Sequence, residues 1–190
     1  MHIFIKMKKE FFRGIEIPEG VEINFEKKDN NLIITVKGPE GENKRIFKVF
    51  NLDLEKKDNK LIIGNKKSTK REKKMTNTLT AHINNMIKGV QKKFEYKLKV
   101  VFSHFPINVE VAGNKVIIKN FLGEKTPREC EIPEKAEVEV NKDIITIKSI
   151  DKEIAGQAAA VLERCTKIRM RDRRIFQDGI YIIEKAGKEI

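Results

Sequence analysis

A chain of 190 residues with 40 Lys and Arg against 28 Asp and Glu carries a net charge of +12, which points to a polyanionic partner or an anionic membrane surface rather than a small neutral substrate. The length suits one domain or two small ones with a buried core. Two cysteines, Cys130 and Cys165, form neither a metal-ligand spacing nor a disulfide framework and point to a reducing compartment, and no apolar run approaches the roughly 18–20 residues of a membrane-spanning helix.

The opening HIFIKMKKEFF is too short and too charged for a signal peptide, and Met7 is a candidate start. Strand-like stretches follow at 21–25, 32–37, 46–50 and 61–63, and then a helix over about 70–88 with an apolar stripe of Met75, Leu79, Ile83, Met86 and Ile87. Thr69 and Glu72 have capping-box spacing at its start, and Gly89 is placed to end it in a left-handed turn. The second half replays this order. Gly41 matches Gly123, Ile62 matches Ile144 and Thr69 matches Asp151, each 82 residues apart. A more visible match of Ile17-Pro18-Glu19 with Ile132-Pro133-Glu134 has a different offset and is set aside as coincidence or local convergence. The fold class expected is therefore α+β, two tandem related domains, each an antiparallel sheet covered by one helix, over residues 1–90 and 91–190.

In the second half, Phe94, Tyr96, Leu98 and Val100 alternate with charged residues as in a half-buried strand. A second helix starts after Asp151, with Ile154, Ala155, Ala158, Leu162 and Cys165 on one face, and its alanines suit close packing on a sheet. After it Lys167, Arg169, Arg171 and Arg173 alternate with Ile168, Met170 and Asp172. An extended chain would put these cations on one side, whereas Arg164, Lys167, Arg171 and Arg174 would equally share a helical face. Asp178-Gly179 reads as a turn before a strand over 180–183.

Charge concentrates in two windows. Lys66, Lys67, Lys70, Arg71, Lys73 and Lys74 surround the first helix start against one carboxylate, Glu72, and Arg164, Lys167, Arg169, Arg171, Arg173 and Arg174 stand against Asp172. Cations at a helix N-terminus oppose the macrodipole, an arrangement a bound phosphate would reverse. The second window is rich in arginine, whose planar guanidinium suits bidentate phosphate contacts. Phe176 and Tyr181 beside it could stack on bases but read better as core.

Nothing points to catalysis. His2, His82 and His104 are scattered, and no nucleophile elbow, phosphate-binding glycine loop or metal-ligand motif occurs. No enzyme activity, metal or cofactor is expected. Two rival readings are a membrane-surface protein, which the alanine face of the second helix opposes, and a basic nucleic-acid-binding or protein-interaction module.

The segments INNMIKGV at 83–90, HFPINV at 104–109, NFLGEK at 120–125, and AGQAAAVLE followed by RRIFQDGIY resemble the universal large-subunit ribosomal protein six family in its archaeal and eukaryotic form. The resemblance implies a cytoplasmic, non-catalytic constituent of the large ribosomal subunit, built from two related α+β domains. Its implied partners are large-subunit rRNA and neighbouring large-subunit proteins, near the stalk base, with translation factors nearby. It implies main rRNA binding by the second domain, at Lys152, Gln157, Arg169, Arg171, Arg173, Arg174, Gln177 and Gly179. Lys70, Arg71, Lys73 and Lys74 form a secondary patch, facing RNA, protein or solvent. Bacterial relatives carry a Pro/Lys/Gly-rich loop in place of Arg173 to Gly179, so their contacts do not transfer there.

Overall fold

The computed structural model describes residues 9–190 apart from 29, 58 and 173, so Met7 and Arg173 lie outside the described residues. The chain divides into two compact units after Lys92.

The first unit contains β1 (Lys9–Glu16), β2 (Glu22–Lys28), β3 (Asn31–Gly38), β4 (Gly41–Lys48), β5 (Asp53–Lys57), β6 (Lys60–Ser68) and α1 (Lys70–Gln91). Its antiparallel strands form two sheets in the orders β1-β6-β5 and β2-β3-β4. Helix α1 packs against strands of both. The buried face follows the period-two pattern, with Leu32, Ile34 and Val36 of β3 and Leu61 and Ile63 of β6 fully buried beneath Leu79 and Ile83. Strands β1 and β5 were not among the sequence-based expectations, and β4 starts earlier than expected and ends at Lys48.

Helix α1 begins as expected, since both reciprocal hydrogen bonds of the Thr69–Glu72 capping box are made. Its end is different. The helix runs through Gly89 to Gln91 and closes at Lys92 in an extended conformation. Tertiary contacts carry it past the glycine: Val90 is fully buried, its carbonyl accepts from Glu40 N at 3.0 Å, and a side chain at Gly38 would meet Val90 Cγ1 at 2.6 Å. Burying Val90 outweighs the glycine's preference for ending a helix.

The second unit contains β7 (Phe94–Val101), β8 (Asn108–Ala112), β9 (Lys115–Lys119), β10 (Arg128–Glu131), β11 (Glu137–Asn141), β12 (Ile144–Ser149), α2 (Lys152–Cys165), β13 (Gly179–Lys185) and β14 (Lys188–Glu189). All pairings are antiparallel, in the orders β10-β9-β8 and β11-β12-β7-β13-β14. Helix α2 lies on β13, β7, β12 and β10 through Ala155, Ala158, Ala159 and Leu162, all fully buried. Small side chains let the helix come close, and Gly156 rests against the Tyr96 hydroxyl.

Each unit thus runs through six strands and then a helix. The helix caps Thr69 and Asp151 hold equivalent places, and Ile63 and Ile145, also 82 apart, are both buried in the strand before the helix. Gly41 and Gly123 both have positive φ, at 133° and 76°, although Gly41 opens β4 and Gly123 closes a short 3-10 turn before β10. The rejected proline match is convergence: Pro18 and Pro133 each accept a turn hydrogen bond, from Val21 N and Ala136 N, but one turn follows β1 and the other follows β10.

Candidate nucleic-acid interface

The second unit's cationic segment leaves α2 at Thr166 and returns to the sheet at Gly179. The helix ends where sequence alternation resumes: Thr166 and Ile168 point inward, while Lys167 and Arg169 are exposed. The alternation then fails. Met170 adopts φ 55° and is fully exposed, so neither the extended nor the helical arrangement continues. Asp172 instead organises a local turn, its carboxylate accepting from Arg174 N at 2.9 Å and its carbonyl from Phe176 N at 2.9 Å. The outcome is a loop whose described cations, Arg169, Arg171 and Arg174, are all exposed.

Two braces hold this loop. The first is Asp178, which is not a turn residue but a carboxylate whose side chain is 1% exposed. It accepts from Ser103 N at 2.7 Å and His104 N at 3.1 Å, and its other oxygen lies 2.6 Å from His104 Nδ1. Burial alone would raise its pKa, but these amide and imidazole bonds outweigh that penalty and hold it down at about 2. Phe176 then lies between the His104 ring, stacked at 4.9 Å, and the Arg171 guanidinium, 4.8 Å from its centroid.

The second brace is Arg128, which sequence reasoning did not single out. Its Nε and Nη2 grip both oxygens of Glu124 at 2.8 and 2.6 Å, Nη1 donates to Cys165 O at 2.8 Å, and the guanidinium sits 4.2 Å from the centroid of buried Phe121. The Arg128 side-chain bonds hold the Glu124 carboxyl below its ordinary range, and the nearby Arg171 adds to the effect. Bonding to Cys165 O also places a cation on the negative end of α2. The spacing of Glu124 and Arg128 was visible in the sequence, but no helix linked them there.

Gly179 is buried, and a side chain on it would meet the Tyr181 ring at 3.2 Å. The glycine therefore has an internal reason, the seating of Tyr181, whose hydroxyl donates to Gln177 O at 3.1 Å. Tyr181 is 42% exposed rather than core, whereas Phe176 does pack at the core's edge. Gln177 is exposed and donates to Arg174 O. Lys152 and Gln157 are exposed on α2. A rise of about 1.5 Å per residue puts Lys152 roughly 18 Å along the axis from Arg164, so Lys152 is set apart from the arginine loop.

In the first unit the basic patch surrounds a helix start already served by its own cap. The bonds from Thr69 hold Glu72 below the ordinary carboxylate range. Arg71 lies over Phe50 at 5.4 Å and Lys73 over Phe11 at 5.3 Å. Lys70 and Lys74 are exposed and have no ion pair among the described residues.

A family model for ribosomal protein L6 matches residues 16–93 and again 105–179. The chain belongs to the ribosomal protein L6 family. Among its relatives, large ribosomal subunit protein uL6 of Methanobrevibacter smithii is 48% identical over 171 residues, spanning 90% of this chain and 94% of its own. The uL6 proteins of Archaeoglobus fulgidus and Methanothrix thermoacetophila are 45% and 44% identical, over 91% and 94% of this chain and 89% and 99% of their own lengths.

Three of the segments that carry the family resemblance, HFPINV, NFLGEK and RRIFQDGIY, meet in space in the second unit. His104 of HFPINV bonds to Asp178 of RRIFQDGIY, Asn120 of NFLGEK donates to Pro106 O at 3.0 Å, and the Phe105 ring packs on Gly123. The two cysteines are also neighbours. Burial, with the Cys165 thiol beside it, pushes the Cys130 thiol up to about 12, which makes Cys130 an inert thiol at neutral pH. No group of metal-ligating side chains occurs among the described residues, and none of their helices is long and apolar enough to cross a membrane.

Proposed function

We propose that the chain is a structural, non-catalytic constituent of the large ribosomal subunit that binds large-subunit rRNA mainly through its second unit, residues 91–190 in the sequence division. The observation that carries this reading is the braced loop after α2. Arg164, Lys167, Arg169 and Arg174 have no side-chain hydrogen bond or ion pair among the described residues, yet Asp178 and Arg128 fix the backbone that presents them. Holding several cations unpaired and close together costs mutual repulsion, which a polyanion relieves. The proposed contact set is Lys152, Gln157, Arg169, Arg171, Arg173, Arg174, Gln177 and Gly179. Exposed side chains reach phosphate oxygens, and Gly179 acts by seating Tyr181. Duplex RNA would be read by shape and backbone, because its A-form major groove is too narrow for side chains.

Lys70, Arg71, Lys73 and Lys74 are proposed as a secondary contact, weaker because Arg71 and Lys73 already lie over rings of their own unit. In this reading the protein sits near the base of the factor-binding stalk, among neighbouring large-subunit proteins and close to where translation factors act. The family membership and the relatives named as large-subunit proteins support the large-subunit part of this reading.

The test is binding to a large-subunit rRNA fragment across a salt series. Removing one cation that neutralises a phosphate should flatten the log–log slope by about 0.7–0.9. The Arg171/Arg173/Arg174 triple alanine should therefore reduce the slope by about two to three units. An unchanged slope with unchanged subunit incorporation would remove the loop from the interface.

A further inference from the structure

We propose that the second unit holds a single unpaired nucleotide, its base in the groove between α2 and β13 and its phosphate in the cationic depression next to it; this rests on the rRNA-binding reading above and names the ligand of one part of that surface. The groove has a volume of about 360 Å³. Its floor is apolar, made by Ala160, Ile168 and Ile180, with Tyr181 exposed alongside. Ile168 and Ile180 belong to the packed core, so the floor is rigid. Thr166 also lines the groove, but its hydroxyl is committed, accepting from Ile180 N at 2.9 Å and donating to Glu163 O at 3.3 Å.

The second depression, of about 340 Å³, shares Arg164 and Lys167 with the groove and adds Arg128 and Arg169. The carbonyl end of a helix would ordinarily repel a phosphate here. Arg128 removes that objection by covering Cys165 O, leaving Arg164, Lys167 and Arg169 for the ligand. Two carboxylates complete the linings, Glu129 in the depression and Glu163 in the groove. Glu129 is outnumbered by the three uncommitted cations. Glu163 can only accept hydrogen bonds, so it favours a base edge carrying an amino group.

Both volumes sit at the lower end of the about 300–1,000 Å³ range of small-ligand sites. An apolar, aromatic-edged groove joined through shared cations to a basic depression matches the two halves of a nucleotide. Inorganic phosphate would leave the apolar floor unused, and a neutral ring would leave the cations unused. A base stacked in a duplex could not enter, so the nucleotide must be unpaired.

The experiment uses the full chain with a large-subunit rRNA fragment, read by binding across a salt series and by 2′-hydroxyl acylation of the RNA. Ala160→Leu fills the groove without removing a charge, and Tyr181→Ala removes the exposed ring. Circular dichroism melts check that both fold. Wild type should silence one reactive unpaired nucleotide. Each variant should weaken binding about tenfold with the salt slope unchanged, and that nucleotide should become reactive again. Arg164→Ala with Lys167→Ala should instead flatten the slope. If both groove variants keep wild-type affinity and footprint while the Arg171/Arg173/Arg174 variant loses affinity, the nucleotide site is wrong and the rRNA reading stands. If wild type itself binds the fragment without salt dependence, the rRNA reading fails and the site with it.

Discussion

The two units share an order of six strands and a helix, yet they place their positive charge at opposite ends of that helix. In the first unit the cations crowd the N-terminus of α1, where the dipole opposes them, and the structure compensates with Glu72 in the capping box and with the rings of Phe11 and Phe50 under Lys73 and Arg71. In the second unit they follow the C-terminus of α2, where the dipole favours them. The deeper difference is what comes next. After α1 the chain passes directly into β7, whereas after α2 it runs through the arginine loop and adds β13 and β14 to the sheet. A repeat unit can carry a charge cluster, but only the copy with an added segment has one that is separately braced.

That contrast rests most heavily on Asp178, which has no equivalent in the first unit because the loop has none. Asp178→Ala should cost about 3 kcal/mol in urea unfolding, since it strips a buried carboxylate from two backbone amides and a histidine. A loss under about 1 kcal/mol would mean the loop is held without Asp178, by the Arg128 brace and the sheet. The same group gives a pH signature. Its pKa falls from the ordinary 3.8 to about 2 in the fold, so its contribution is complete above pH 4 and is lost as pH drops through 2. The difference corresponds to about 2 kcal/mol. Asp178→Asn should remove that part of the acid dependence between pH 4 and pH 2, and a variant with the wild-type slope over that window would refute the assignment.

What the sequence disclosed was local. The capping box, the alanine face of α2, the alternation in β7 and the 82-residue repeat are periodic or short-range signals, and each has its counterpart in the fold. Strand β5 was not legible because DLEKK is almost wholly charged and earns its place only by pairing with β6. Strand β1 was not legible because KEFFRGIE has no apolar alternation: Ile15 is buried, while Arg13 on the same face is exposed. The extension of α1 past Gly89 depends on Gly38, about fifty residues away in sequence. The site was legible as composition and as family words, not as geometry. Asp178 looks like a turn residue until His104, 74 residues distant, is brought beside it, and Arg128 has no local reason to bind the end of α2.

A smaller effect would sharpen the comparison of the helix starts. Thr69→Ala removes the hydroxyl that accepts from Arg71 N at 3.3 Å and donates to Glu72, leaves the bond from Thr69 N to Glu72 in place, and should cost about 1 kcal/mol. Asp151→Ala removes one acceptor, the bond from Glu153 N at 2.8 Å, and should cost somewhat less. Chemical denaturation of each variant, followed by far-UV circular dichroism, reads the difference. Equal losses would mean that the bond from the Thr69 hydroxyl to Glu72 adds nothing.

The smallest expected change is also the one of opposite sign. Lys70 and Lys74 are exposed at the start of α1 and have no ion pair among the described residues, so they face the positive end of the dipole uncompensated. Replacing both with glutamine should raise stability by about 0.5 kcal/mol at low salt, and the gain should fade as salt is added. The same variant should flatten the rRNA salt slope by less than the arginine-loop triple alanine does. If stability rises while RNA binding is untouched, the first patch is a solvated face. If stability rises and the slope falls by a full unit or more, these lysines are tolerated against the dipole because phosphate lies there in the assembled particle, and the two units differ in how they hold RNA rather than in whether they do.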